Sequence, residues 1–317
     1  MYGSPRRHRL LLGAVLALVL AAAAFAAPRH LLGDKGQPLH GRGRILNDRD
    51  RTYVSPVSWP RQGQAAFVLG NARPAASPHE QPAPIASLAK VMTAYLTLKR
   101  YPLSGVQNGF TITVTAAQAQ TAAEDAAREQ SVVAVRAGEQ MTERQLLEAL
   151  LIPSGNNIAW MLSAGVAGSE TRFLAQMNEE ARALGMDHTI YTDPSGFDPS
   201  TVSTAADQLR VFRQAMRYSV FREVVSMASV RLPVAGRVRN FDPLIAEGYG
   251  GKTGSDSAAG GCLAFFTEVT VGGRRQTAAG VVMGQGEGSN TSVILSAAGE
   301  AAEQLIDSVA LRPVYPR

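Results

Sequence analysis

The chain has a single cysteine, Cys262, among its 317 residues, so it forms no intramolecular disulfide. This excludes the small secreted folds that disulfides hold together. Only five histidines are present, and no cluster of His and Cys has the spacing of metal ligands. A G-x-S-x-G sequence is also absent, which disfavours a Ser-His-Asp hydrolase. We therefore expect a protein that uses neither a metal ion nor another cofactor.

Lysine is scarce as well. The formal net charge is +5, yet only four of the 31 basic residues are lysines: Lys35, Lys90, Lys99 and Lys252. A lysine can lose its proton when it is buried, whereas an arginine effectively cannot. The basic residues are spread along the chain and no nucleic-acid motif occurs, so we expect no nucleic-acid partner. A basic surface is compatible with an anionic polymer such as the cell wall.

Long apolar runs are absent except at the N-terminus. Three arginines precede an apolar run over residues 10–27, in which Ala24-Phe25-Ala26 is a small-x-small cleavage pattern. This order predicts a signal peptide or an N-terminal membrane anchor over residues 1–27 and therefore export. Residues 28–62 are rich in Gly, Pro, Arg and Asp and are predicted to be a linker. Residues 63–317 are long enough for one large domain.

The rest of the chain mixes helical and strand patterns. Helical spacing of apolar residues predicts helices over residues 87–100, 146–151, 157–164, 170–184, 203–218 and 291–309. The Thr-x-x-Gln pattern of Thr142 and Gln145 predicts a capping box before the second of these helices. Strands are predicted over residues 64–69, 110–114, 132–135, 262–271 and 276–283, with a hairpin over 230–238. This order indicates an α+β fold, in which an antiparallel sheet is flanked by helices. A mostly helical lobe is expected between about residues 112 and 220.

Three short motifs occur in order along this domain. Ser87-Leu88-Ala89-Lys90 is S-x-x-K, Ser154-Gly155-Asn156 is S-x-N, and Lys252-Thr253-Gly254 is K-T-G. Taken singly, they are common as a helix cap, a turn and a loop before a strand. Two of the four lysines fall within these motifs, however, and the ordered set is far more specific than any one member.

The first motif predicts a nucleophile and its base. Residues three apart on a helix share one face, so the side chains of Ser87 and Lys90 can meet. A serine hydroxyl is a poor nucleophile until a base removes its proton. Lys90 can act as that base if burial or a neighbouring positive charge, such as Lys252, lowers its pKa. The helix N-terminus near Ser87 offers N–H groups to a developing oxyanion.

The other two motifs predict a substrate cleft. Ser154 and Asn156 lie on a sharp turn between helices, where polar side chains can point into a cleft and Ser154 can relay a proton to a leaving amine. The K-T-G motif is predicted to open an edge strand, along which a substrate lies as an added strand. Lys252 and Thr253 would meet its carboxylate. Gly254 would let the two backbones approach closely.

These motifs resemble those of the D-alanyl-D-alanine carboxypeptidase family of low-molecular-weight penicillin-binding proteins. The similarity extends over about residues 64–310 and implies a β-lactamase/transpeptidase-like fold. It implies that the penultimate D-Ala of a peptidoglycan stem peptide acylates Ser87, with Lys90 as proton acceptor. It further implies that Lys252 binds the terminal carboxylate and that the backbone N–H groups of Ser87 and Ser255 form the oxyanion hole. β-Lactams would inhibit by acylating the same serine.

Three alternatives stay open at this point. A D,D-endopeptidase that cuts cross-links would use the same residues. A class A β-lactamase needs a glutamate between the second and third motifs, and the segment 185–205 contains none. A non-catalytic wall-binding scaffold predicts the loss of Ser87, Lys90 or Lys252, and all three are present. Any membrane contact is expected through the N-terminal segment only.

Overall fold

Strands and helices alternate along the computed structural model of the chain, which describes residues 44–45 and 57–310. The strands are β1 Arg44–Ile45, β2 Gln64–Leu69, β3 Ala75–Ala76, β4 Ala83–Pro84, β5 Thr111–Thr113, β6 Gln140–Thr142, β7 Val202–Ser203, β8 Ser229–Leu232, β9 Gly236–Arg239, β10 Gly250–Asp256, β11 Gly260–Val271 and β12 Arg274–Gln285. The α-helices are α1 Ala89–Arg100, α2 Ala116–Ala127, α3 Glu143–Leu151, α4 Asn156–Ala167, α5 Glu170–Ala183, α6 Ala205–Ala215, α7 Ser219–Val225 and α8 Thr291–Ala310. Two short 3₁₀ turns lie at Ala86–Leu88 and Ile245–Glu247.

An antiparallel sheet forms the centre of the fold. Its strand order is β1-β3-β2-β12-β11-β10, so the strand that contains the K-T-G motif is the outermost on its side. β11 and β12 form a long hairpin, and both turn residues, Gly272 and Gly273, have positive φ angles of 57° and 74°. Glycine suits this turn because side chains disfavour such angles. The strands predicted over residues 262–271 and 276–283 and the edge position of K-T-G are confirmed.

The sheet separates two hydrophobic cores. In β2 the side chains alternate between them: Ala65 and Phe67 lie in the core under α8, and Ala66 and Val68 lie in the core under the other helices. This alternation follows from the period of two along a strand. Each fully buried large apolar side chain stabilises the fold by about 1.5–3 kcal/mol. The α+β architecture with helices on both faces of an antiparallel sheet is therefore confirmed.

The segment before β2 contributes to one of these cores. Val57 and Trp59 are 3% and 7% exposed and pack in the core under α8. Both residues belong to the segment 28–62 that was predicted to be a linker, and its last part is thus packed against the fold. The predicted signal segment, residues 1–27, lies outside the described residues. Within residues 57–310 there is no helix with both the length and the hydrophobicity that a bilayer span requires.

Most predicted helices are found close to their predicted bounds. The capping box of α3 is confirmed, since the Thr142 hydroxyl accepts from the Gln145 N–H at 3.3 Å and Gln145 Oε1 accepts from the Thr142 N–H at 2.9 Å. The helix predicted over 203–218 is shorter. It begins after the N-cap Thr204 and ends at Ala215, and the separate helix α7 follows it.

One secondary-structure prediction was wrong, and one helix was not predicted. Residues 132–135 do not form a strand, because Val133 bonds to a side chain instead of a neighbouring strand. Its N–H donates to Asn157 Oδ1 at 3.0 Å and its carbonyl accepts from Asn157 Nδ2 at 2.9 Å. Helix α2 was not predicted, because its sequence consists mainly of Ala and Gln and only Ala122 is buried. A capping box between Thr115 and Gln118 starts that helix.

Candidate active site

The three motifs meet at one cavity of about 260 Å³, here called the central cavity. Five predicted site residues line it: Ser87, Ser154, Asn156, Thr253 and Ser255. The two motif lysines lie beneath its polar wall, with Lys90 0% and Lys252 1% exposed. Gly254 packs against the turn that contains Ser87, since a Cβ on Gly254 would stand 3.2 Å from the Ser87 backbone nitrogen. The structure therefore brings together all eight residues that were predicted from the sequence.

Lys90 is the hub of a buried hydrogen-bond network. Its Nζ lies 2.6 Å from Ser87 Oγ, 2.7 Å from Asn156 Oδ1 and 2.9 Å from the carbonyl oxygen of Ser195. Ser87 lies in the 3₁₀ turn Ala86–Leu88, directly before α1, so its side chain meets Lys90 one turn further along. Ser87 does not cap the helix, because the N-cap position is occupied by Leu88. The Ser87 hydroxyl is therefore not used for capping and is available to act as a nucleophile.

The electrostatics of the site favour a neutral Lys90. Burial lowers the pKa of Lys90 well below its ordinary value of 10.5, and the nearby positive charge of Lys252 lowers it further, against the opposing effect of Asp193. Burial also lowers the pKa of Lys252, to about 7. Two ammonium groups in one buried space repel each other, so one of them gives up its proton first. A neutral Lys90 can then accept the proton of Ser87.

The S-x-N turn connects the two lysines to the cavity. Ser154 Oγ accepts from Lys252 Nζ at 2.9 Å, while Asn156 Oδ1 accepts from Lys90. The amide of Asn156 also donates to Gln130 Oε1 at 3.1 Å. Ser154 adopts a positive φ of 65°, which is a strained conformation for a residue with a side chain. The turn therefore holds both motif side chains in fixed positions.

The K-T-G strand packs closely against the 3₁₀ turn that contains Ser87. A Cβ on Gly254 would stand 2.8 Å from the carbonyl oxygen of Ile85 and 3.2 Å from the backbone nitrogen of Ser87. Only a glycine allows this approach. Within the turn, Ala86 has a φ of 44°, a conformation that costs about 1–3 kcal/mol. Ser255, one residue further along β10, lines the same cavity.

Asp193 is a buried residue of this site that the sequence did not reveal. Its Oδ1 accepts from the backbone N–H groups of Ser195 and Gly196, both at 2.7 Å, and from the Ser195 hydroxyl at 2.5 Å. These bonds fix the loop whose Ser195 carbonyl accepts from Lys90. The sequence Asp-Pro-Ser-Gly is a turn signal, and the role of this turn depends on a contact about a hundred residues away.

Asp242 is a second buried carboxylate that the sequence did not reveal. It is 3% exposed, and its Oδ1 accepts from the Leu244 N–H at 2.9 Å. Its Oδ2 has no hydrogen-bond partner among the described residues and lies 2.9 Å from the position of a Cβ on Gly251. Burial raises the pKa of Asp242 to about 6. In return, its negative charge raises the pKa of Lys252 and so opposes the effect of burial there.

These groups can perform acyl transfer through a serine. They combine a hydroxyl, a buried amine, a cationic side chain at an edge strand and backbone N–H groups beside the hydroxyl. Within residues 57–310, no group of three or more His, Cys, Asp or Glu is placed to hold a metal ion.

Several known proteins are similar to this chain. D-alanyl-D-alanine carboxypeptidase DacB2 of Mycobacterium tuberculosis is 35% identical over 201 residues, which are 61% of this chain and 64% of the relative. A D-alanyl-D-alanine endopeptidase of Pseudomonas aeruginosa is 32% identical over 142 residues, which are 44% of this chain and 42% of the relative. The chain thus spans less than two thirds of the length of these curated relatives.

A solved structure and a family model agree with these relatives. The crystal structure of an evolved penicillin-binding protein homolog from Mycobacterium tuberculosis is similar to this chain, with a TM-score of 0.64 and 29% sequence identity. The match covers 83% of this chain and 97% of that protein's chain. The predicted β-lactamase/transpeptidase-like fold is thereby confirmed. The family model described as D-alanyl-D-alanine carboxypeptidase (peptidase S11) matches residues 75–286, which are more than half of the chain and contain all three motifs. This chain belongs to the D-alanyl-D-alanine carboxypeptidase family.

Proposed function

We propose that this chain is a serine-type D-Ala-D-Ala carboxypeptidase, which removes the terminal D-alanine from peptidoglycan stem peptides through an acyl-enzyme on Ser87. One observation supports this proposal above all others. Ser87 Oγ lies 2.6 Å from the buried amine of Lys90, and a second buried lysine, Lys252, donates to the cavity-lining Ser154. Membership of the family gives the substrate class, and the geometry supports a reaction at this serine.

Substrate binding prepares the base. The terminal carboxylate of the peptide meets Lys252 and Thr253 at the edge of β10. A carboxylate beside Lys252 raises the pKa of that lysine from about 7 and keeps it in the ammonium form. The positive charge of Lys252 then lowers the pKa of Lys90 further. Lys90 is thus neutral when the scissile carbonyl arrives near Ser87.

Acylation needs two proton transfers, one from Ser87 and one to the leaving amine. Lys90 Nζ takes the proton of Ser87 while Ser87 Oγ attacks the carbonyl carbon of the penultimate D-Ala. The backbone N–H groups of Ser87 and Ser255 stabilise the oxyanion. Ser154 gives its proton to the leaving amine and regains one from Lys252 Nζ, 2.9 Å away. The terminal D-Ala leaves, and the peptide is bound to Ser87 as an ester.

Deacylation reverses these proton movements. A water molecule attacks the ester carbonyl, and one of its protons passes through Ser154 to the neutral Lys252. Lys90 returns its proton to Ser87 Oγ as the ester bond breaks. Both lysines are then in their starting states, and the shortened peptide leaves with a new carboxyl group, which loses its proton to water. β-Lactams acylate the same Ser87 in this scheme, and a slow water step accounts for their inhibition.

We place this activity outside the cytoplasm, where the family acts on the cell wall. Residues 1–27 supply the export signal and serve either as a cleaved signal peptide or as an anchor. Peptidoglycan stem peptides are the substrates and β-lactam antibiotics are inhibitors. Membrane contact, where it occurs, is made by the N-terminal segment.

The experiment measures release of D-Ala from diacetyl-Lys-D-Ala-D-Ala by the full chain and by its Ser87→Ala variant. We expect release by the unchanged chain only, because the variant lacks the nucleophile. Equal release by both proteins, or none by either, would contradict the proposal. Rapid turnover of penicillin without cleavage of the peptide would instead indicate a β-lactamase.

A second candidate is a D,D-endopeptidase that cuts peptidoglycan cross-links. The 32% identity to a D-alanyl-D-alanine endopeptidase favours it as an additional activity. A cross-linked muropeptide dimer, added to the same assay, separates the two activities. Conversion of the dimer to monomers at a rate near that of D-Ala release would assign both activities to Ser87.

A further inference from the structure

The three oxygen atoms around Lys90 fix the direction of its lone pair. Lys90 Nζ lies 2.7 Å from the side-chain carbonyl oxygen of Asn156, 2.9 Å from the backbone carbonyl oxygen of Ser195 and 2.6 Å from Ser87 Oγ. A carbonyl oxygen can only accept a hydrogen bond, whereas a hydroxyl can also donate one. The two N–H groups of a neutral amine therefore point to the two carbonyl oxygens. The lone pair of Lys90 is left facing the Ser87 hydroxyl.

This arrangement depends on which end of the Asn156 amide faces Lys90. If the amide were rotated so that Nδ2 faced Lys90, it would donate to the lone pair and compete with the Ser87 proton. The Asn156 N–H donates to the Ser131 carbonyl oxygen at 2.7 Å, which fixes the backbone but not the side-chain amide. A neutral amine can both donate and accept, so Lys90 does not select either orientation. The orientation must be selected from the other end of the amide.

Gln130 lies at that other end. Its Oε1 accepts from Asn156 Nδ2 at 3.1 Å, and its own Nε2 donates to Asp125 Oδ1 at 3.1 Å. A carboxylate only accepts hydrogen bonds, so Asp125 requires Nε2 of Gln130 to face it. Oε1 of Gln130 must then face Asn156, and Oδ1 of Asn156 must face Lys90. One carboxylate at the end of α2 thus determines the orientation of two successive amides.

The segment between α2 and Gln130 is itself held by short-range bonds. The backbone N–H groups of Gln130 and Arg128 both donate to the backbone carbonyl oxygen of Asp125, each at 3.1 Å. The Arg128 guanidinium lies 3.7 Å from Asp125 Oδ1, and the Asp125 side chain is only 15% exposed. Gln130 is therefore held beside Asn156 at the wall of the central cavity before a substrate binds.

We propose that Gln130 is a positioning residue which, together with Asp125, orients the Asn156 amide so that the lone pair of Lys90 faces the proton of Ser87. This inference rests on the function proposed above, in which Lys90 is the base for acylation. Gln130 acts through Asn156, so its loss should slow the covalent step and leave the preceding binding step nearly unchanged.

The test separates these two steps by rapid mixing with benzylpenicillin, which gives the dissociation constant of the first complex and the rate constant of acylation. Gln130→Met keeps the length of the side chain and removes the amide. We expect its acylation rate constant to fall about tenfold, which is part of the roughly 10²–10⁴-fold that a positioned base contributes. Its dissociation constant should change by less than about twofold. Each protein is compared at the pH where it reacts fastest, so that a shift in pKa is not mistaken for lost positioning.

A rescue variant tests the hydrogen-bond order itself. Asp125→Asn/Gln130→Glu exchanges the carboxylate and the amide, so that position 130 still accepts from Asn156 and position 125 donates to it. Its acylation rate constant should return to within about threefold of that of the unchanged chain. Gln120→Met is the matched control, because Gln120 lies exposed on the same helix and donates to Glu124 Oε1 at 2.9 Å. It should react at the unchanged rate.

The outcomes separate this inference from the proposed function. An unchanged acylation rate constant in Gln130→Met would overturn the role of Gln130, and so would an exchange variant that is as slow as Gln130→Met. A dissociation constant that rises as much as the rate constant falls would show that Gln130 serves binding instead. In each of these cases the unchanged chain is still acylated. Absence of acylation in the unchanged chain would overturn the proposed function and this inference with it.

Discussion

Gly254→Ala is the most informative single change, because it adds one carbon at the contact between β10 and the 3₁₀ turn that contains Ser87. The new Cβ would stand 2.8 Å from the Ile85 carbonyl oxygen and 3.2 Å from the backbone nitrogens of Ser87 and Leu88. All three neighbours are backbone atoms, so no side chain can rotate away. The φ of Gly254 is not in the left-handed region, so alanine can adopt this conformation and the effect is steric.

The size of the effect follows from these distances. Ordinary contact begins at 3.4 Å, so β10 and the turn must separate by about 0.6 Å. A displacement of about 1 Å in catalytic groups costs about 100-fold in rate, so we expect about a tenfold loss here. Overpacking of this kind destabilises a fold by about 1–3 kcal/mol. In a domain of this size that lowers Tm by roughly 2–10 °C, which leaves the protein folded at room temperature.

The assay is the second-order rate of acylation by benzylpenicillin, measured with the thermal unfolding of the same samples. Gly165→Ala is the matched control, because a Cβ on Gly165 would meet only the side chain of Ile112, which can move. We expect its acylation rate to equal that of the unchanged chain. A Gly254→Ala variant that is acylated at the unchanged rate would refute the inference that this contact positions Ser87.

Three further changes test the proton chemistry and the fold. Lys90→Arg should lower acylation by about 10²–10⁴-fold, since arginine keeps its proton, and an unchanged rate would exclude Lys90 as the base. Asp242→Asn removes the charge that raises the pKa of Lys252. In this variant Lys252 loses its proton, and with it the charge that binds the carboxylate, at a lower pH than in the unchanged chain. The alkaline limb of kcat/KM, expected near pH 7, should move to lower pH, and a limb that stays in place would contradict this coupling. Asn157→Ala should destabilise the fold by about 1–3 kcal/mol because both backbone groups of Val133 lose their partner, and an unchanged Tm would argue against that loop contact.

Local sequence rules predicted much of the fold. Strand β2 was predicted at its observed bounds, and the Thr-x-x-Gln pattern correctly marked the start of α3. Alternating and helical apolar patterns are strong where one face of an element is buried. Helix α2 shows the limit of this rule, because its alanines give little contrast between a buried and an exposed face. The α2 helix therefore has no apolar stripe to detect.

Contacts between distant parts of the chain explain the other differences. Val133 was assigned to a strand from its apolar neighbours, and its actual partner is the side chain of Asn157, 24 residues later. The motifs correctly identified residues that meet in the structure, since their spacing and order reflect one shared cavity. Asp193 and Asp242 belong to no such motif, and their importance comes from burial beside the two lysines. Such burial follows from the packing of the whole domain.

The most direct measurement is the location of the penicillin adduct by mass spectrometry of the digested protein. The account predicts one added benzylpenicillin per chain, on the peptide that contains Ser87, and none in a Ser87→Ala variant. An adduct on any other residue, or an adduct that persists in that variant, would contradict the assignment of Ser87 as the nucleophile.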